Sequence, residues 1–355
     1  MKLALITIKD IARALNLSVS TVSKALRDSH EISAETKQRV VAYAKKHNYK
    51  PNPEARILRK GQSKLIGVIV TNVDNSFFSQ VINGIESVAH KSDYTVIIAQ
   101  THESYEREVR TVGNLLTRSL DGMLVSLCAE TTNLDHISEV YAKGLPIVFF
   151  DRIAEDIPTH KVVCDNFRGA YDGTLHLVQQ GFQRIAHITS SSSLSITQER
   201  LKGYVKALED SGQTIDERCI KYCAHGGMIE EETEAAVQEL LNMDNRPDAI
   251  FTASDRLSTT TFSILRKRGI KIPGEMALAG FTNAASADLF DPPLTAVIQP
   301  AFEMGKTATE MLIQLIENKR PPLRYEKKVL DTELVKRESS RPRKSRRRGP
   351  GDANS

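Results

Sequence analysis

The chain has 355 residues, 40% of them hydrophobic and 26% charged, with four cysteines and no tryptophan. That is enough for two or three domains with sizeable cores, and it excludes a disulfide-stapled miniprotein, a low-complexity chain and a membrane span of ~18 apolar residues. The net charge of +4 conceals a division: residues 1–61 carry +8, residues 336–355 carry +6, and the stretch between carries −10. A basic head on an acidic body implies that the head alone meets a polyanion, nucleic acid above all.

Three short helices fit residues 7–47. "TIKDIARALN" offers Thr7 as cap and Asp10 three residues on, with Ile8, Ile11, Ala12 and Leu15 along one face. "SVSTVSKALRD" follows after a very short turn, capped by Ser18, with Val22, Ala25 and Leu26 inward. "SAETKQRVVAYAKKHN" has Ser33 as cap, Glu35 in the first turn, and Val40, Val41 and Ala44 as its expected buried side. Helix, tight turn, helix, loop, helix is a small DNA-binding architecture.

The stretch "PNPEARILRKG" at 51–61 is punctuated as a helix by Asn52, Pro53 and Gly61, yet it is too short to be stable alone. Leu58 stands there among Arg56, Arg59 and Lys60, where a solvated linker has no use for an apolar side chain.

From residue 64 strands and helices alternate. "KLIGVIVT", "YTVIIAQT", "DGMLVSLC" and "PIVFFD" are apolar strand runs separated by amphipathic stretches at 76–92 and 103–119. A second set reads "KVVCDN", "RIAHITS", "CIKYCA", "DAIFTAS" and "MALAGFTN". Near-continuous apolar strands between helices imply parallel sheets covered on both faces, here two similar subdomains with a ligand cleft at the strand carboxyl ends.

The cysteines (Cys128, Cys164, Cys219, Cys223) show neither metal-ligand nor redox spacing and read as buried thiols, with Cys219 and Cys223 on one strand face. The opening "MKLALITIKDIARAL" lacks the core and cleavage site of an export signal, so a cytoplasmic protein is expected. The tail "RPRKSRRRGPGDANS" has no apolar periodicity and no leucine heptads; it reads as a solvated charged end or an auxiliary nonspecific DNA contact.

The N-terminal run "TIKDIARALNLSVSTVSKALRDSHEISAETKQRVVAYAKKHNYKPNPEARILRKGQSKLIGVIV" resembles the lactose-repressor (LacI/GalR) family of bacterial transcriptional regulators. Further matching landmarks are "DR" at 151–152, "CDNFRGAYDGTLHLVQQGFQRIAHI" at 164–188, "QERLKGYVKAL" at 198–208 and "PPLTAVIQPAFEMG" at 292–305. The resemblance implies an all-α helix-turn-helix head at 1–50, a hinge helix at 51–62, a two-lobed, doubly wound α/β body of the type I periplasmic-binding-protein kind at 63–335, and a basic disordered tail at 336–355. It also implies a homodimer on palindromic operator DNA, with no membrane association and no cofactor or metal.

A recognition helix enters the major groove N-terminus first, which puts Val19, Ser20 and Lys24 at the base edges, the positions where the resemblance also places specificity. Thr7, Thr21 and Ser23 are read as phosphate positioners. In the hinge, the resemblance implies that paired helices enter the minor groove. Leu58 then wedges between base pairs, Ala55 allows close approach, and Arg56 and Arg59 neutralise the groove.

The cleft candidates are Phe77, Phe78, Asp151, Arg152, Arg200, Ser254, Asp255 and Thr282. Of the two phenylalanines one is expected in the core and the other against the ligand. Arg152 either meets the ligand or forms an interlobe salt bridge with Asp151, and Arg200 matches the arginine of the family's "R..G" motif. Many relatives carry an acid after the aromatic in "GFTN", where this chain has Thr282; an uncharged hydroxyl there would tolerate a ligand phosphate or carboxylate better. A neutral sugar, a sugar phosphate or acid, and a nucleobase all stay open as effectors.

The resulting expectation is a DNA-binding repressor controlled by a small sugar-like ligand. A solute-binding protein would leave the head unexplained. An enzyme is not expected, because no phosphate-binding loop, nucleophile elbow or dinucleotide glycine fingerprint occurs and "HGGM" at 225–228 is too generic to carry an oxyanion hole.

Overall fold

A computed structural model of the chain describes residues 6–49, 62–318 and 322–341. The chain divides into two units, one ending at Ser63 and the other beginning at Lys64.

The first unit holds α1 (Ile8–Leu15), α2 (Val19–Ala25) and α3 (Ala34–Lys46). Thr7 and Asp10 close a capping box at the start of α1, and Asn16 ends it in the left-handed region at φ 53°. That conformation reverses the chain within the few residues separating α1 from α2. Ser18 and Ser33 cap the next two helices by accepting from the Thr21 and Thr36 N–H groups at 3.0 and 3.3 Å. Ile11, Ala12, Val22, Ala25, Val40 and Ala44 form the core. Val41, expected inward, is 49% exposed; one residue is a 100° turn, which carries it off the stripe that Val40 and Ala44 share.

In the second unit, lobe 1 opens with β1 (Leu65–Val70), α4 (Ser76–Lys91), β2 (Thr95–Gln100), α5 (Tyr105–Leu116), β3 (Gly122–Val125), α6 (Asp135–Ala142), β4 (Ile147–Phe150) and β5 (His160–Cys164). Lobe 2 runs through α7 (Asn166–Gln179), β6 (Ile185–Thr189), α8 (Ser195–Asp210), β7 (Ile220–Tyr222), α9 (Glu230–Leu241), β8 (Ala249–Thr252), α10 (Asp255–Lys267), β9 (Ala277–Phe281) and β10 (Thr295–Ile298). The chain then returns to lobe 1 as α11 (Ala301–Glu317) and β11 (Lys327–Leu330), and crosses back as β12 (Glu333–Val335).

The sheets are ordered β11-β5-β4-β3-β1-β2 and β12-β10-β9-β8-β6-β7, the same winding twice. All pairs are parallel except β10 with β12. "KVVCDN", grouped above with the second set, pairs as β5 with β4 and β11 and so belongs to lobe 1. The chain therefore crosses between lobes three times: after β5, after β10, and between β11 and β12.

The body also runs past residue 335, where the sequence suggested a disordered tail. Ser339 and Ser340 are fully buried. The Ser339 hydroxyl accepts from the Thr295 N–H at 2.8 Å and donates to the Leu278 carbonyl at 2.6 Å, while Ser340 Oγ lies 2.8 Å from His176 Nε2. These bonds let a polar segment be buried without loss. Residues 342–355 lie outside the described residues. Among the described residues no helix is long and apolar enough to cross a membrane.

In lobe 1, α4 and α11 cross at backbone contact through Gly84 and Gly305. A Cβ on Gly84 would stand 2.0 Å from the Phe302 carbonyl oxygen, and one on Gly305 2.0 Å from that of Val81. The obstacle is backbone, which no rotamer change can clear. Gly84→Ala is therefore expected to destabilise the body by roughly 1–3 kcal/mol, read as a lower urea midpoint with unchanged slope. An unchanged midpoint would show that the helices separate freely.

Candidate functional site

In the helix-turn-helix unit the first turn of α2 presents the expected contact residues. Val19 is 43% exposed and Ser20 is exposed beside it, without a side-chain hydrogen bond among the described residues. Lys24 lies one turn on and forms an ion pair with Glu31, a partner that sequence reading did not assign. The pair is partly exposed, so a competing base or phosphate can take the ammonium at little cost.

The phosphate candidates are already engaged. Thr7 donates to Asp10 Oδ2 at 2.6 Å, Thr21 Oγ1 lies 2.8 Å from Ser18 Oγ, and Ser23 Oγ accepts from Arg27 at 3.0 Å. Arg27 thus joins this surface as a further cation. The hinge residues Ala55, Arg56, Leu58 and Arg59 lie outside the described residues.

In the body, the carboxyl ends of the two sheets face one another across the lobes. Asp151 ends β4 and is held at φ 58°; His102 and Glu103, after β2, have φ 51° and 63°. Three consecutive or facing non-glycine residues in the left-handed region store strain of order 1 kcal/mol or more each, as functional sites commonly do.

Arg152 does pair with Asp151, as considered above, but within lobe 1 rather than between lobes, and its principal partner is Glu103. Its Nη1 donates to both oxygens of Glu103 at 2.9 and 2.6 Å, while its Nε stands 4.0 Å from Asp151 Oδ2. All three residues belong to lobe 1. Glu103, which the sequence did not single out, also accepts from the Ala129 N–H at 2.8 Å. Burial works against the Arg152 charge, but Glu103 and then Asp151 outweigh it and hold its pKa above the usual value. Burial pushes the Asp151 carboxyl up, against the pull of Arg152 and Arg200.

Arg200, on α8 of lobe 2, is 3% exposed. Its Nε donates to Asn166 Oδ1 at 2.8 Å, its Nη1 donates to the Ala253 carbonyl, and its guanidinium carbon lies 3.9 Å from the centroid of the Phe281 ring. Burial lowers its pKa, partly countered by Asp151.

Two expectations need correction. Phe77 and Phe78 are both buried in the lobe 1 core, 5.2 Å apart edge to face, so neither presents an open ring to the cleft. Asn75 caps α4 by accepting from both of their N–H groups, which turns the first helical turn into the core. Thr282 does not leave the strand end free of charge either. Its hydroxyl donates to Asp255 Oδ1 and accepts from the Ala284 N–H at 3.0 Å. The acid missing after the aromatic is thus supplied by the first residue of α10. Asp255 also accepts from Asn283 N–H and, across the lobes, from Ser76 N–H, both at 3.2 Å. Ser254 caps α10 by accepting from the Leu257 N–H at 3.3 Å.

Other interlobe contacts frame the cleft: Asp74 pairs with Arg256, and Asn283 Nδ2 donates to Gln80 Oε1 at 2.9 Å. All four cysteines are free and buried. Burial drives Cys164, at the end of β5, up to about 12, which leaves it a neutral thiol.

Residues 7–52 match the family model described as bacterial regulatory proteins of the lacI family, and residues 63–335 match that of periplasmic binding proteins and the sugar binding domain of the LacI family. The chain is 31% identical over 335 residues to the HTH-type transcriptional repressor PurR of Vibrio cholerae serotype O1 (strain M66-2), covering 94% of this chain and 97% of that protein. It is 32% identical over 336 residues to the ribose operon repressor of Haemophilus influenzae, covering 94% and 98%. The crystal structure of a LacI family transcriptional regulator from Enterococcus faecium with bound ribose matches with a TM-score of 0.69 at 27% identity, covering 79% of this chain and all of that one.

Proposed function

The chain belongs to the LacI family of bacterial regulatory proteins, and from that premise we propose that it is a homodimeric, sequence-specific transcriptional repressor whose operator affinity is set by a small hydroxylated ligand held between its two lobes. One observation carries this reading. A single chain joins a helix-turn-helix unit with Val19 and Ser20 outward to a two-lobed body whose strand ends converge on buried Asp151 and Arg200. The body alone would equally suit a solute-binding protein, but such a protein has no use for the helix-turn-helix unit. A catalytic step forms no part of the reading, and the role places the protein in the bacterial cytoplasm.

Ligand control follows from differential binding: a ligand that touches both lobes favours one arrangement of them, and only that preference can shift operator affinity. The hinge at 51–62 is the proposed go-between, a marginal helix formed when two copies pair on DNA, with Leu58 as its wedge.

The reading is tested by selecting duplexes from a random library with the full-length protein, then titrating the winner and a scrambled duplex by fluorescence anisotropy at ~0.15 M salt. A palindromic consensus bound at least about 10³-fold more tightly than the scrambled duplex is expected. Recovery without enrichment of any sequence would remove the repressor reading.

A further inference from the structure

Resting on the cleft reading above, we infer that the ligand is an uncharged polyhydroxyl compound and that the cleft rejects its phosphorylated and acidic forms. Two incompletely partnered groups define what the ligand must offer. Asp151 is 4% exposed, and its Oδ1 has no hydrogen-bond partner among the described residues. Arg200 makes no ion pair within 4.0 Å among the described residues; it donates to the neutral oxygens of Asn166 and Ala253 and turns its flat face to Phe281. A buried carboxylate oxygen with free lone pairs calls for an O–H or N–H donor, whereas a buried guanidinium calls for an oxygen acceptor.

Neighbouring hydroxyls on one small molecule meet both demands. One donates to Asp151 from lobe 1 and the next accepts from Arg200 of lobe 2, so the same contact that recognises the ligand also spans the lobes. An anionic ligand meets only half of this. It would satisfy Arg200 and set a second negative charge against Asp151.

The surrounding charges deepen the bias. Arg152 is held by Glu103, whose two carboxylate oxygens both accept from its Nη1, while its Nε faces Asp151 at 4.0 Å without a hydrogen-bond partner among the described residues. Arg256 is committed to Asp74. Asp255 restores, from the start of α10, the negative charge that Thr282 removes from the end of β9. Four carboxylates, Asp74, Glu103, Asp151 and Asp255, therefore face three guanidiniums, Arg152, Arg200 and Arg256, of which Arg200 alone lacks an ion-pair partner among the described residues. In a site of low dielectric such like-charge contacts discriminate strongly.

The discrimination assigns a place in a reaction sequence. The protein reports the free compound, and the reaction that ends the signal is one that charges it: transfer of a phosphoryl group from a nucleoside triphosphate to one of its hydroxyls, which loses its proton as the nucleoside diphosphate leaves.

Matched pairs test this with the full-length protein: D-ribose against ribose 5-phosphate, D-glucose against glucose 6-phosphate and gluconate, cellobiose against cellobionate, and adenosine against AMP. Affinities are read by isothermal titration calorimetry. At least one neutral member is expected to bind, with its anionic counterpart at least tenfold weaker, and Asp151→Asn should narrow that ratio by tenfold or more. Should Asp151→Asn fold poorly, the wild-type ratio decides alone. An anionic member that binds as tightly as its neutral partner, with binding lost in Arg200→Ala, would overturn the charge filter while leaving the cleft as the effector site. No binding by any member, in protein that still binds its selected duplex, would overturn the filter and the effector-cleft reading together.

Discussion

Arg200→Ala is expected to abolish ligand-induced thermal stabilisation, with affinity for the neutral ligand falling at least about 100-fold. The guanidinium holds Asn166 Oδ1 at 2.8 Å, takes the Ala253 carbonyl and covers the face of Phe281. Its loss leaves two acceptors without a donor and an aromatic face without its cation. The free protein should consequently lose about 2–4 kcal/mol of stability. Arg200→Lys separates the two effects, because it keeps a buried charge but not the planar fork. It should recover part of the stability and little of the ligand affinity. Scanning fluorimetry with and without a neutral pentose measures both; a ligand-induced shift that survives in Arg200→Ala would remove Arg200 from the site.

The second large effect belongs to the other unit. Val19→Ala combined with Ser20→Ala is expected to lower affinity for the selected palindrome by at least about 30-fold and to leave binding to a scrambled duplex within twofold. Each direct base contact is worth about 1–3 kcal/mol of discrimination, while phosphate contacts supply the nonspecific part. Alanine is the best helix former, and the Ser18 cap accepts from Thr21, which neither substitution touches. Far-ultraviolet circular dichroism should therefore be unchanged. Equal losses on both duplexes would make Val19 and Ser20 positioning groups and return specificity to Lys24 or to residues outside α2.

What could be read in advance was what depends on neighbours in sequence. The caps at Thr7, Ser18 and Ser33 and the inward faces of α1 and α2 follow from residues within a turn of one another, and each stands as expected. The second half of the cleft depends on distant partners. Glu103 reaches Arg152 from 49 positions away, and it looks unremarkable in "THESYERE". Asp255 substitutes for the acid missing at Thr282 only because α10 starts beside the end of β9. The place of Phe77 and Phe78 after the first strand suggests one ring for the core and one for the ligand, whereas the Asn75 cap fixes a first turn that buries both. β11 and β12 are edge strands, the first mostly exposed and the second largely half-buried, so they lack the apolar run that announces the others.

Those two late strands decide how the molecule can be taken apart. β11 completes one sheet and β12, after a short crossing, completes the other. Each lobe is thus stitched from stretches far apart along the chain, and a gene truncated after Glu317 strips an edge from both sheets at once. A single protease nick at any of the three crossings would leave the halves joined by the other two. For anyone grafting this sensor onto a different output module, the usable seam is at Ser63 and Lys64; within the body, the parts are not interchangeable.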